Sequence, residues 1–126
     1  MLHEMSKNSK KAFTLISNFD TRRHPRYTVD FDIMVIMGDD LISGTVRDIS
    51  KGGMFIQPNA AQINKKVLLC EDVLKDLYAG KRLQVRIGEN VKSVLIDADI
   101  RWVGKSQTHN CLGFGLAFKK EMDKII

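Results

Sequence analysis

Three arginines lie within five residues at positions 22–26, in the order Arg22-Arg23-His24-Pro25-Arg26. A guanidinium group presents a planar fork of donors that fits two phosphate oxygens, or O6 and N7 of guanine, and it stays charged at neutral pH. A cluster of this kind beside a strand is also typical of a solvated surface. The residue types therefore predict an anion site without naming its ligand.

A second group of small and polar residues lies at 48–53, with the sequence Asp-Ile-Ser-Lys-Gly-Gly. The Asp48 carboxylate could accept hydrogen bonds from N1–H and N2–H of guanine, and Ser50 adds a short donor or acceptor. Gly52 and Gly53 would let backbone amides approach a ligand closely. The same pattern is common in side-chain-stabilised turns. Taken together, the two segments suit a ligand that contains guanine and phosphate.

The elements that must position these residues are mainly strands. Apolar and polar residues alternate over 27–37, and Gly38-Asp39-Asp40 predicts a turn before a returning strand at 41–49. The break at 51–53 precedes a third strand at 54–56, and Pro58 and Asn59 predict a loop. Further strands are predicted at 83–87, 94–102 and 111–118, with a polar loop at 104–110.

Two helices are predicted beside these strands. Leu69, Val73 and Leu77 have helical spacing within Val67–Tyr78, and Gly80 is placed to end that helix. We expect this inserted helix to cap the strands, and we expect a short terminal helix over 119–126. Hairpin-type connections between six strands predict an all-β, six-stranded antiparallel barrel. In the last strand, Gly113 and Gly115 leave one face almost without side chains, which permits close packing or tight curvature.

The two motifs, in this order and separated by one hairpin, resemble those of the PilZ domain family. Its RxxxR signature corresponds to Arg22 and Arg26, and its [D/N]xSxxG signature to Asp48, Ser50 and Gly53. The resemblance covers about residues 20–120 and includes the last strand at 113–118.

This resemblance implies a six-stranded barrel that binds the bacterial second messenger cyclic di-GMP. The arginines would hold phosphates and guanine edges, and the aspartate and serine would contact a guanine. The ligand-binding residues that it implies are Arg22, Arg23, Arg26, Asp48, Ser50, Gly52 and Gly53.

Charge distribution separates an arm from the rest of the chain. The 126 residues carry a formal charge of +5, and residues 1–26 hold six basic side chains against two acidic ones. We expect residues 1–20 to form a flexible arm and residues 21–126 the barrel domain. The arm would become ordered when the arginines close over the ligand, which would change a surface read by a downstream protein partner.

Other chemistry is not indicated by the sequence. His3, His24 and His109 have no carboxylate or cysteine at ligand spacing, so we predict no metal, no cofactor and no catalytic site. Cys70 and Cys111 are expected to be reduced, packed thiols. Trp102 is expected in the core, and Asp99 and Arg101 on a solvent face.

No targeting signal or membrane-spanning run is visible, so the expected location is the cytoplasm, without membrane insertion. Two alternatives remain open. One is a ligand-independent interaction module of the PilZ type. The other is a small barrel that binds single-stranded nucleic acid, although basic residues are not interleaved with aromatic ones as such a groove requires. Nucleic acid is therefore not an expected partner.

Overall fold

The structure, a computed structural model, describes residues 14–15, 25–88 and 93–120. Within these residues the chain forms eight strands and one 3-10 helix. The strands are β1 Thr14–Leu15, β2 Tyr27–Met37, β3 Asp40–Ile49, β4 Gly53–Ile63, β5 Lys66–Leu69, β6 Arg82–Ile87, β7 Val94–Ser106 and β8 Cys111–Phe118. The 3-10 helix spans Cys70–Asp76, between β5 and β6.

Six of these strands form a closed antiparallel ring in the order β2-β3-β4-β8-β7-β6. The ring closes where β2 also pairs with β6, with Val35 opposite Val85. Strands β1 and β5 lie outside the ring and pair with β2 and β4. A closed ring leaves no unpaired edge among its own strands. The predicted all-β, six-stranded antiparallel architecture is confirmed.

The core fills the inside of this ring, because alternate residues of a strand point to the same face. The alternation predicted for β2 is confirmed, since Val29, Ile33, Val35 and Met37 are buried. Facing strands contribute further side chains without exposed surface. These include Ile42, Val46, Ile49, Met54, Ile56, Val85, Ile100 and Phe114.

The predicted loop at Pro58 and Asn59 is wrong, because β4 continues to Ile63. The pairing of β3 with β4 shifts register at this point, so that Gly44 faces Pro58 while Ser43 faces Ala60. One additional residue is thereby accommodated in β4. Proline lacks the N–H group that a regular ladder needs, and a bulge is one place in a sheet that accepts it.

The predicted helix over Val67–Tyr78 is wrong in its first part. Residues Lys66–Leu69 form β5, which returns along β4 after a two-residue turn at Asn64 and Lys65. Both turn residues have positive φ, 52° and 64°, as a tight hairpin turn of this hand requires. Leu69, expected in the core, is therefore 62% exposed.

The inserted helix is present as the shorter 3-10 helix, and it does cap the ring. Val73 is fully buried, Leu77 is 8% exposed, and Leu74 packs against the same core. Gly80 is not the end of this helix, because Leu77 is the C-cap residue. The amide of Gly80 donates instead to the carbonyl oxygen of Ile100 over 2.6 Å.

Two predicted segments lie largely or wholly outside the described residues. The arm over 1–20 is described only at β1, and of the terminal helix over 119–126 only Lys119 and Lys120 are described, as a bend. The strand predicted at 94–102 continues to Ser106, which reduces the predicted loop to a turn at 107–110. Within the described residues, no helix has both the length and the hydropathy needed to cross a membrane.

Candidate functional site

Arg26 and the 48–53 segment meet at one end of the ring. Arg26 lies immediately before β2, Asp48 is the second-last residue of β3, and Ser50 and Gly52 belong to the turn that leads into β4. Side chains from both motifs line a surface pocket of about 300 Å³. The far wall of this pocket is formed by β7 and β8 residues, among them Trp102.

The side chain of Arg26 is bound to Asp48. Nε of Arg26 donates to Oδ1 of Asp48 over 2.7 Å, and Nη2 of Arg26 donates to the same oxygen. The two side chains are 13% and 8% exposed. A guanidinium has five N–H groups, so three of those on Arg26 are not used by Asp48. Asp48 therefore fixes the guanidinium in the pocket wall while leaving donors on it.

The other oxygen of Asp48 binds His109. Nε2 of His109 lies 2.7 Å from Oδ2 of Asp48, although the two residues are 61 positions apart. The His109 side chain is only 5% exposed. The expectation that His109 is isolated is thus wrong. No spacing in the sequence could have revealed this pair, because it depends on how β7 and β8 are placed against β3.

The 48–53 turn is held by its own hydrogen bonds. The amide of Gly52 donates to Oγ of Ser50 over 3.1 Å, and the amide of Ser50 donates to the carbonyl oxygen of Gly53 over 2.8 Å. The carbonyl oxygen of Gly52 accepts from the amide of Phe118 over 2.8 Å, which ties the turn to the end of β8. Ser50, 3% exposed, therefore stabilises the turn with its hydroxyl group.

Gly53 is required by strand pairing. It lies opposite Ala117, and a Cβ atom on it would come 1.9 Å from the carbonyl oxygen of Leu116. No side chain fits at that distance from backbone. Gly53, the glycine of the second motif, thus permits the close approach of β4 to β8. This structural role is independent of its predicted role in ligand binding.

Three aromatic side chains stack on the outer face of the ring beside the pocket. The Phe55 ring lies 5.2 Å from the Trp102 ring and 5.7 Å from the His109 ring, with interplanar angles of 11° and 8°. The close packing predicted over the small face of β8 is observed here. A Cβ atom on Gly113 would come 2.6 Å from Phe55, and one on Gly115 would come 2.2 Å from Trp102.

Trp102 is not a core residue, contrary to expectation. The pairing of β7 with β8 shifts register between Ile100 and Trp102, which turns the tryptophan away from the inner face. Its side chain is 39% exposed and lines the pocket. Arg101 is exposed as expected, and it also lines the pocket. The sequence offered no sign of this bulge.

Arg22 and Arg23 lie outside the described residues. Their predicted contribution to the site stays a prediction. Of the seven predicted ligand-binding residues, the structure describes five and brings them together in the pocket wall: Arg26, Asp48, Ser50, Gly52 and Gly53.

Neither a metal centre nor a disulfide is present in the described part of the chain. Its His, Cys, Asp and Glu side chains form no group of three that could hold a metal ion. Both cysteines are free, but Cys70 is exposed, so the expectation of a packed thiol is wrong for that residue. Cys111 is half-buried, and burial raises the pKa of its thiol above the ordinary value.

A comparison with protein families matches residues 20–125 to the PilZ domain. This chain belongs to the PilZ domain family. The matched range includes both motifs and all six strands of the ring. Among curated proteins, no sequence matches significantly.

Solved structures support the same fold for this PilZ protein. The structure of the Bacillus subtilis inhibitor of motility, MotI/DgrA, superposes with a TM-score of 0.56 and 14% sequence identity. The superposition covers 83% of this chain but 46% of the Bacillus protein. This chain therefore spans less than half the length of the Bacillus protein. Over the part that superposes, the two proteins share one fold.

Proposed function

We propose that this PilZ protein is a receptor for cyclic di-GMP, which changes its surface on binding and so signals to a protein partner. The observation that carries the proposal is the Arg26–Asp48 pair at the pocket. A guanidinium fixed on one side by a carboxylate presents its remaining N–H groups in a set direction. That fork suits a phosphate or the O6/N7 edge of guanine.

Each motif residue has a place in this proposal. Arg22 and Arg23 add positive charge for the two phosphates of the ligand, and Arg26 supplies the oriented fork. Asp48 holds that fork, and the lone pair left on Oδ2 is available to a guanine N–H. Ser50, Gly52 and Gly53 shape the turn below the ligand.

The proposed activity is binding, without catalysis and without a cofactor, in the cytoplasm. The Ser50 hydroxyl is engaged in its turn, and His109 is engaged with Asp48, so neither is arranged as a nucleophile and its base. The fold of the Bacillus protein, which is named as an inhibitor of motility, makes motility components the first class of partner to test. Biofilm components are the next.

The direct test is calorimetric titration of the purified full chain with cyclic di-GMP, GMP and cyclic di-AMP. We expect cyclic di-GMP to bind and the other two to bind at least tenfold more weakly, because only the first offers two guanines on a double phosphate. Equal affinity for all three would indicate a site that reads charge alone. No binding of any would favour a ligand-independent interaction module.

The residue-level test replaces Arg26 with alanine and uses Arg86→Ala as the matched control. Arg86 is exposed on β6 and lines a separate surface depression with Asp32 and Asn59, so its loss changes the net charge equally. We expect Arg26→Ala to weaken the binding of cyclic di-GMP by more than about tenfold, which corresponds to one lost charge-assisted hydrogen bond. Arg86→Ala should leave the affinity unchanged. Equal effects of the two variants would contradict the site.

A further inference from the structure

His109 does not line the pocket itself but contacts Asp48, which does, and neither motif includes this histidine. It is 5% exposed, and its Nε2 atom lies 2.7 Å from Oδ2 of Asp48. Since Oδ2 is an acceptor, Nε2 must carry the proton and donate it to this bond. The imidazole therefore occupies the carboxylate oxygen that Arg26 does not use.

The division of the two carboxylate oxygens is unusual for an arginine pair. In the common arrangement, two N–H groups of a guanidinium bind two different oxygens of one carboxylate. Here Nε and Nη2 of Arg26 both bind Oδ1 of Asp48. Oδ2 is turned instead toward His109. The imidazole and the guanidinium thus bind different oxygens of the same carboxylate.

The fold holds His109 in this position from several sides. Its amide donates to Oγ of Ser106 over 3.1 Å, which closes the turn between β7 and β8. Asn110, the next residue, has a φ of 52° and brings the chain back into β8. The imidazole stacks on Phe55 of β4 with an interplanar angle of 8°. A histidine fixed in this way can direct the side chain to which it donates.

We propose that His109 is a positioning residue, which orients Arg26 through Asp48 and so sets the affinity of the pocket. Without its N–H group, Oδ2 would have lost the donor that binds it in the ligand-free protein. The carboxylate would then turn until the two N–H groups of Arg26 bind both oxygens. That rotation would redirect the remaining donors of Arg26 away from the ligand. The consequence for affinity rests on the proposed function, whereas the orientation exists without any ligand.

Two variants separate positioning from simple packing. His109→Phe keeps a flat ring for Phe55 to stack on and removes the donor. His109→Gln loses the ring and keeps a side-chain N–H group at about the reach of Nε2. If His109 only packs, the phenylalanine variant should be the milder change. If it positions Asp48, the glutamine variant should be the milder change.

The ligand-free readout is nitrogen NMR of the Arg26 side chain in the full protein. We expect the Nε–H signal to be protected from exchange and to have nearly the same shift in wild type and His109→Gln, and to shift and lose protection in His109→Phe. An unchanged signal in His109→Phe would overturn the proposal. If His109→Phe does not fold, nitrogen NMR of the His109 imidazole in the wild-type protein decides the question. An Nε2 atom that carries no proton would also overturn the proposal, because it could not donate to Asp48.

The ligand readout is calorimetry with cyclic di-GMP on the same three proteins. We expect about tenfold weaker binding by His109→Phe, the value of one hydrogen bond to a charged group, and a change of less than about threefold for His109→Gln. Equal affinities of wild type and His109→Phe for cyclic di-GMP would overturn the positioning role of His109 but not the proposed function. A wild-type protein that does not bind cyclic di-GMP would instead overturn the proposed function, and the NMR signals would still decide the role of His109.

Discussion

The indole ring of Trp102 lies on the phenyl ring of Phe55, with centroids 5.2 Å apart and planes 11° from parallel. One face of the indole is therefore covered by protein. The side chain is nevertheless 39% exposed, at the edge of the pocket that Arg26 lines. A flat ring supported from one side and open at a pocket is a suitable surface for a nucleobase.

Trp102 is the only tryptophan in the sequence, so its fluorescence reports on this pocket alone. We expect cyclic di-GMP to quench the emission, because a guanine would lie against the indole. Trp102→Ala should weaken binding about tenfold or more, since stacking of one base on an aromatic side chain contributes about 1–3 kcal/mol. Trp102→Phe should retain most of the affinity. Emission that does not respond to saturating ligand would contradict this stacking.

Gly53→Ala is expected to destabilise the fold by about 3 kcal/mol, because its methyl group would meet the Leu116 carbonyl oxygen 1.9 Å away. The control is Gly38→Ala. Gly38 has a φ of +62° but nothing within 4 Å of its added carbon, so only backbone strain of about 1 kcal/mol applies. Urea unfolding measures both free energies. If Gly38→Ala is the more damaging variant, strand proximity is not what requires Gly53.

The carboxyl group of Asp99 should titrate below its ordinary pKa of 3.8, chiefly because it accepts a hydrogen bond from the Lys119 ammonium group. A pKa lowered in the folded state stabilises the protein above the ordinary carboxyl value. That stabilisation is lost as the pH falls through the folded-state pKa. Lys119→Met should therefore raise the pKa of Asp99 toward 3.8 in a carbon NMR titration.

Arg82→Met is the comparison for this titration, because Nε of Arg82 lies 3.7 Å from Asp99 while Nζ of Lys119 lies 2.9 Å from it. We expect a smaller rise in the pKa of Asp99 from the arginine variant. An identical rise in the pKa of Asp99 in the two variants would mean that the shorter contact with Lys119 lowers this pKa no more than the contact with Arg82 does.

Alkylation with iodoacetamide should distinguish the two thiols. Cys70 is exposed, whereas burial raises the pKa of Cys111 and so lowers its thiolate fraction at neutral pH. Mass spectrometry should find Cys70 modified well before Cys111. In guanidinium chloride the two rates should converge, because unfolding removes the burial. Faster modification of Cys111 in the native protein would contradict this order.

The strands that line the core could be predicted, because their signal lies within each strand. Val29, Ile33 and Val35 repeat every second residue, and burial on one face of the ring produces that period. The segment around Leu69 could not be assigned correctly. Its leucines fit a helical period, but the turn at Asn64 and Lys65 brings the chain back along β4 as a strand.

The two motif segments of the candidate site could also be found in the sequence, but the residues that join them in space could not. Arg26 and Asp48 belong to motifs that can be read in the sequence, whereas His109 reaches Asp48 across 61 residues. Trp102 joins the pocket because of a bulge after Ile100 that leaves no mark in the residue pattern. Contacts that depend on register between distant strands are not encoded in local spacing.

The pairing of Asp48 with His109 also governs when the pocket can exist during synthesis. A growing chain makes β2, β3 and β4 long before the hairpin of β7 and β8 emerges, and contacts at such separation form slowly. Until that hairpin closes on Phe55, Asp48 lacks its second donor. A ligand that binds only the finished pocket stabilises the finished chain by mass action.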